Sequence, residues 1–293
     1  MNGRKKVLIV IYERIFINNI FQSIGVAFYY MDESVKVLAQ QMVKKIDRKI
    51  RRELKANFVK MGRTIDIGAD GTPTKVIDKI AEDAALKTLK KAHGLVNLLS
   101  EEAGFIDNAA EYTFILDPVD GTRNAYRGIP FFSVSLAVGR ESLSDIEYGI
   151  VQNVATGDIY EAEAGMGAFC NKDHILVPDV SAREPLFSVN LGKRCDEKTI
   201  NMVKKSVVRS LGAASLEMCL VGTGALDAYI VGRDYMRVTD IAASTLFLRE
   251  AGGVVTDLYG DSLDMTLNLD ERTSFLATGN MDLIKQLVKK RME

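Results

Sequence analysis

Asp117-Pro118-Val119-Asp120-Gly121-Thr122 follows an apolar run, Tyr112 to Leu116, that reads as a strand ending where the acids begin. Two carboxylates three residues apart straddle a proline, and Gly-Thr follows at once. A hard divalent cation prefers oxygen ligands, and magnesium keeps several waters that substrate oxygens can replace. Gly121 allows close backbone approach, and free N–H groups at a following helical turn can hold a phosphate. The same residues also make an ordinary acidic turn. The stretch by itself leaves the two readings level, so the rest of the chain decides.

At 293 residues the chain can bury a large core, as one big domain or two modest ones. Its 38 Lys and Arg nearly balance 39 Asp and Glu, so net charge gives no sign of a polyanion-binding surface such as nucleic acid needs. Cys170, Cys195 and Cys219 are odd in number and lack CxxC spacing, as expected for buried thiols in a reduced, cytoplasmic setting. The only histidines are His93 and His174, and tryptophan is absent, which argues against a His-rich zinc site and a Ser-His-Asp hydrolase. His93 precedes Gly94 at a helix end and His174 sits in a turn, so both read as surface or capping residues. Chemistry here must come from carboxylates, hydroxyls and arginines.

Residues 1–30 carry Arg4-Lys5-Lys6 before the apolar Val7 to Tyr12, then Glu13 and Arg14. No run reaches the roughly 18 uncharged residues of a membrane span, and no cleavage site is clear. Met31-Asp32-Glu33-Ser34 looks like a natural beginning, with helix N-terminal acids. The favoured expectation is therefore a dispensable, non-native extension; a loosely attached helix or strand comes second and a membrane anchor third.

Apolar positions at Val35, Leu38, Ala39, Met42, Val43, Ile46, Ile50, Leu54 and Phe58 predict one long helix. Ile65 to Thr74 reads as a mobile Gly-rich loop, Lys75 to Lys91 as a second helix and Leu95 to Leu99 as a strand. β patterning then runs to about Val177, through Phe131–Gly139, Ile146–Val154, Asp158–Ala164, Gly167–Cys170 and Ile175–Val177. After Pro185 strands and helices alternate. Meander followed by alternation predicts two sheets separated by helix layers. It also predicts an α+β subdomain over 31–184 and an α/β subdomain over 185–293.

Asp78, Glu101, Asp117, Asp120 and Asp240 all sit where predicted strands or helices begin or end, the place where sites assemble in open α/β sheets. One such acid is usually only a cap, and Asp240 before Ile241-Ala242-Ala243-Ser244 reads that way too. The set says more than its members.

Glu101-Glu102, then DPVDGT, then Val238-Thr239-Asp240-Ile241-Ala242-Ala243 resembles the inositol monophosphatase family, from about Met31 to the C-terminus. Gly167-Ala168-Phe169-Cys170-Asn171 and Leu216-Glu217-Met218-Cys219-Leu220 with Gly222, Gly224 and Asp227 extend the likeness. The stretch GADGTPTKVID and the compact length look most like the archaeal dual-activity fructose-1,6-bisphosphatase/inositol monophosphatase branch.

The resemblance implies a layered αβαβα sandwich of the sugar-phosphatase type, with the metal site in the first subdomain. It implies two to three Mg2+ ions, with Mn2+ able to substitute. Their ligands would be Glu101, Asp117, the Val119 main-chain carbonyl, Asp120 and Asp240, with Asp78 helping a third, weaker ion and Glu102 less directly used. Asp120, Gly121 and Thr122 match the phosphate cradle; Arg209, Ala214 and Arg233 match the sugar pocket. Thr239 departs from the tryptophan of many relatives. Arg233 stands where inositol-specialised relatives tend to carry glutamate, and its planar fork suits a second phosphate. An ordinary surface arginine is the rival reading.

The implied reaction is attack of water on a phosphate monoester, without a phosphoenzyme, Glu101 and the Thr122 hydroxyl orienting and deprotonating that water, with Asp78 beside them. The implied substrates are fructose-1,6-bisphosphate and/or inositol-1-phosphate, with the bisphosphate favoured, in a cytoplasmic homodimer of carbohydrate metabolism that touches neither nucleic acid nor membrane. The alternatives are a 3′-phosphoadenosine-5′-phosphate or NADP(H) phosphatase of the same fold, and a non-enzymatic scaffold.

Overall fold

The long helix α1 (Glu33–Asn57) buries Val35, Ala39, Met42, Val43, Ile46 and Ile50 in one stripe, the three-and-four spacing that the sequence presents. The computed structural model describes residues 31–69, 71–178, 184–191 and 195–293; the expected extension over 1–30 lies outside them. The segment read as a loose polar loop is instead a hairpin of β1 (Thr64–Ile67) and β2 (Pro73–Lys75), with Asp66 opposite Thr74. Its turn closes through Gly68 N–H donating to the Thr72 carbonyl at 2.8 Å, with Gly71 at a φ of 80°. Every β1 residue is exposed, so burial periodicity carries no strand signal there. Helix α2 (Val76–Lys90) starts directly from the hairpin.

An eight-stranded sheet follows: β3 (Asn97–Ser100), β4 (Gly104–Ile106), β5 (Thr113–Asp120), β6 (Ser133–Gly139), β7 (Tyr148–Asn153), β8 (Ile159–Glu163), β9 (Gly167–Cys170) and β10 (Asp173–Ile175). Its order is β10-β9-β8-β7-β6-β5-β3-β4, and only β3 and β5 pair in parallel. The short helix α3 (Thr122–Arg127) follows β5. Strand β5 does not stop at Leu116 as the apolar run suggests; it runs through the acids and is buried along all eight residues. Asp117 faces Ser135 and Asp120 faces Ser133, so three steps on one strand oppose two on the other. Such an irregularity re-aims side chains, and Pro118, which has no N–H to donate, is tolerated there.

The second sheet joins β11 (Leu186–Val189), β12 (Val207–Arg209), β13 (Ala228–Met236), β14 (Val254–Thr256) and β15 (Thr273–Thr278) in the order β12-β11-β13-β15-β14. Between and after them lie α4 (Glu197–Val203), α5 (Ala214–Gly222), α6 (Val238–Glu250) and α7 (Met281–Met292). Helices α5 and α6 pack on each other and between the sheets: α6 lies against β5 to β9, α5 against β13 and β15. Phe187, Ile230 and Leu276 of the second sheet pack with Met202, Ile284 and Leu287 of α4 and α7 on its other face. Helix α2 lies against β5, and Lys36 and Gln40 of α1 reach Glu163 and Glu161 of β8. The result is a layered α+β fold with two sheets between helix layers. Residues 34–293 form one compact unit, and the change of style near Pro185 marks the passage from one sheet to the other. No helix among the described residues is long and apolar enough to cross a membrane.

The sandwiched helix α6 is buried from Val238 through Leu248, with small and apolar residues around most of its circumference. Gly149 of β7 lets its backbone come close: a Cβ there would sit 2.7 Å from the Ala243 carbonyl oxygen and 2.9 Å from its Cα. Neither atom can rotate away. Gly149→Ala is expected to destabilise the fold by about 1–3 kcal/mol, the usual cost of overpacking, read as a lower urea midpoint at unchanged slope.

Candidate metal centre

Ser100 and Leu116 are partners in the parallel β3–β5 pair, so the next residues, Glu101 and Asp117, emerge side by side at the strand ends. Asp240, in the first turn of α6, completes the group: one carboxylate oxygen from each of the three lies within 4.8 Å of the others. Asp117 and Asp240 are 4% and 5% exposed, and the Glu101 side chain 13%. Burial first, then the charge of neighbouring carboxylates, pushes Glu101 and Asp117 well above their ordinary values. Asp240 moves the other way. Burial opposes its charge, but the contacts with Arg237 together outweigh that and hold it low.

Arg237 is the residue sequence reading passed over. Its Nη2 lies 2.8 Å from Glu101 Oε1 and 2.9 Å from Asp240 Oδ1, and its backbone N–H donates to Asp240 Oδ2 at 2.8 Å. The only signal in the chain was an arginine three residues before an acid at a helix start. Thr239, in place of the expected tryptophan, is buried and donates to Glu101 Oε1 at 3.2 Å.

Asp120 stands apart from the cluster of three. Its Oδ1 accepts from Ala214 N–H at 3.1 Å, and its Oδ2 from Ser215 N–H at 2.8 Å and Ser215 Oγ at 2.5 Å. It therefore caps α5 from across the fold. Burial, opposed by Ser215 and helped by Asp240, pushes its carboxyl up to about 7. Asp78, in the first turn of α2, accepts from Lys75 N–H at 2.9 Å, and burial raises it to about 7 as well. The Thr122 hydroxyl lies 3.0 Å from Asp78 Oδ1 and 2.9 Å from the Val119 carbonyl, so one proton serves two acceptors. Gly121, at a φ of 81°, has no room for a side chain: a Cβ would lie 3.0 Å from Ala213 Cβ and 3.1 Å from the Phe131 carbonyl oxygen. Glu102 accepts from the Thr74 hydroxyl. Glu82, unforeseen, takes a 2.7 Å bond from Ser100 Oγ, and burial lifts it to about 7.

Two cavities of about 300 and 330 Å3 meet at Glu101, Asp117, Val119, Thr122, Tyr235 and Arg237. The first is also lined by Asp120, Gly121, Ala214 and Asp240, the second by Asp78. Arg209 and Arg233 line neither; both are exposed, and Arg209 Nη1 donates to the Val208 carbonyl at 3.0 Å. The pocket wall near them is made by Ser210, Gly212 and Tyr235 instead. The thiols are free, Cys219 buried and Cys170 and Cys195 half-buried, and burial raises all three.

The profile of the inositol monophosphatase family matches residues 31–292. The chain belongs to that family. It is 38% identical over 247 residues to the fructose-1,6-bisphosphatase/inositol-1-monophosphatase of Methanothermobacter thermautotrophicus, covering 78% of this chain and 86% of that one. A bifunctional NADP phosphatase/NAD kinase of Methanococcus maripaludis is 36% identical over 275 residues, covering 86% of this chain but only 48% of the relative. A Pyrococcus horikoshii structure described as similar to inositol-1 monophosphatase superposes with a TM-score of 0.77 at 34% identity, over 88% of this chain and 98% of that one. The family is metal-dependent, and an all-oxygen set of carboxylates is the donor chemistry of a hard divalent cation.

In the metal-free protein Asp78, Glu82 and Asp120 keep protons up to about pH 7 that the unfolded chain releases near its ordinary values of 3.8 and 4.5. The folded state then binds more protons, so stability from these groups is full below about pH 4 and is lost as pH rises to about 7. Urea unfolding in EDTA is expected to show a midpoint falling across that window, and divalent cation should flatten it. A slope indifferent to metal would contradict the site.

Proposed function

We infer that this member of the inositol monophosphatase family is a phosphate monoester hydrolase acting on small sugar or inositol phosphates, with fructose-1,6-bisphosphate and inositol-1-phosphate as substrates. The observation that carries this reading is the convergence of Glu101, Asp117 and Asp240 on one point beside a cavity of about 300 Å3. Bound divalent ions, magnesium first and manganese as a substitute, would activate water and offset the charge of the phosphate. Glu101, Asp117, Asp240, Asp120 and the Val119 carbonyl would hold them, with Asp78 at a weaker third position. Of these, Asp120 must share its oxygens with α5.

Glu101 is the general base for the attacking water, a carboxylate that lines both cavities beside Asp117 and Thr122. Thr122 fixes the orientation of that water, its hydroxyl being set by Asp78 and Val119. Gly121 and Ala214 line the cavity where the phosphate and sugar would sit. Arg233, two residues from the cavity-lining Tyr235, takes the distal phosphate of a bisphosphate, with Arg209 beyond. The site lies at the edge of a subdomain spanning 31–184, facing one spanning 185–293. The enzyme works as a cytoplasmic homodimer in carbohydrate metabolism, including gluconeogenesis. A second reading, an NADP phosphatase, is favoured by the similar identity of the bifunctional relative.

Asp117→Asn keeps the volume and removes a charge from a crowded group. Magnesium-dependent phosphate release is expected to vanish, while the metal-free melting temperature stays level or rises slightly. Near-normal turnover at saturating magnesium would remove Asp117 from the ligand set.

Arg233→Ala is expected to cut kcat/KM for fructose-1,6-bisphosphate about ten- to hundredfold, the worth of a charge-assisted hydrogen bond of about 1.5–3 kcal/mol. Inositol-1-phosphate, with one phosphate, should be spared. Equal losses on both would make Arg233 structural, and faster release from NADP than from either would favour the second reading.

A further inference from the structure

Arg237 occupies a position that helix electrostatics disfavours. It flanks the N-terminus of α6, the positive end of the helix dipole, yet its guanidinium is turned inward and the side chain is only 14% exposed. What holds it is the pair Glu101 and Asp240: Nη2 spans the two at 2.8 and 2.9 Å, and Nε lies 3.3 Å from Asp240 Oδ2. Those carboxylates come from the end of β3 and the start of α6, the two elements that an ion in this site must join. A guanidinium and a divalent cation cannot both lie between the same oxygens. A planar, weakly hydrated cation is well suited to such a buried place. Its long side chain lines both cavities, which leaves it somewhere to go.

We propose that Arg237 is a built-in counter-cation that holds the ligand set together without metal and must be displaced from Glu101 and Asp240 for an ion to bind, so that it sets the metal affinity of the site. The proposal rests on the metal-dependent reading above. It makes Arg237 a positioning residue with two opposed effects. It steadies the empty cluster, because three carboxylates otherwise repel one another, and it weakens the affinity for the ion that replaces it.

The test reads metal binding rather than turnover. Arg237→Gln and Arg237→Lys are purified in Mn2+, stripped with EDTA, and titrated with Mn2+ by calorimetry, with melting temperatures taken in both states. Arg237→Gln should bind Mn2+ about ten- to hundredfold tighter than the unaltered protein, the equivalent of one charge-assisted contact. Its metal-free form should melt lower, so that the gap between stripped and loaded forms widens. Arg237→Lys keeps the charge but loses the fork and should fall between. If Arg237→Gln does not survive stripping, the lysine variant carries the test and must bind tighter than the unaltered chain. Mn2+ binding that is unchanged or weaker in the variants overturns the proposal. Absence of any Mn2+ binding by the unaltered protein would instead overturn the metal site itself.

Discussion

Carboxylates packed out of water repel one another, and this constraint shapes the whole centre of the molecule. Glu101, Asp117 and Asp240 bring oxygens within 4.8 Å in a place where burial and mutual charge push the first two towards the protonated form. Folding the chain forces that crowding. The parallel β3–β5 register sets Glu101 beside Asp117, and packing of α6 across β5 to β9 delivers Asp240 to the same spot. A protein does not keep such a cluster for stability, since each buried charge costs more than it returns unless something of opposite sign shares the space. A single guanidinium supplies part of that opposite charge. The remainder is what makes the site a receptor for cations.

The scaffold turns the same acids to structural use. Asp78 sits in the first turn of α2 and accepts from Lys75 N–H; Asp240 does the same for α6 with Arg237 N–H; Asp120 reaches from β5 to the first N–H groups of α5. Three helix N-termini therefore point at one region, each offering donors that its own helix cannot satisfy. Their dipoles favour negative charge at that end by about 0.3–1 kcal/mol apiece. Capping does not use up such a carboxylate, because it has two oxygens, and one can serve the helix while the other faces inward. Asp120, whose oxygens are both engaged by α5, shows the limit of that arrangement.

This double use explains why the centre was legible in the sequence while its surroundings were not. An acid at a helix start or strand end leaves a local mark, and Asp78, Glu101, Asp117, Asp120 and Asp240 all carry one. The layered fold was legible for a related reason: strands such as β6 and β7 are rich in apolar residues and buried along their length, and α1 has a clean stripe. The β1–β2 hairpin was not, because its exposed residues have no core to face. The continuation of β5 through Asp117 to Asp120 was hidden by a proline and two acids that usually signal a turn. Arg237 was invisible because its meaning lies in a contact with Glu101, on a distant part of the chain.

The arginines singled out for the sugar pocket show where resemblance loses resolution. Glu101, Asp117 and Asp240 are fixed by strand register and a helix start, so a matched position implies a matched side-chain location. Arg209 and Arg233 stand on exposed strand residues, and their guanidinium groups are separated from the backbone by several rotatable bonds. The same strand position can then send its charge into the cavity or out to solvent. Relatives of similar identity, 38% and 36%, bear the names of a sugar phosphatase and an NADP phosphatase. A buried acidic floor set by register, beside a wall of exposed strand residues with long side chains, is a construction in which the floor can be kept while the wall varies.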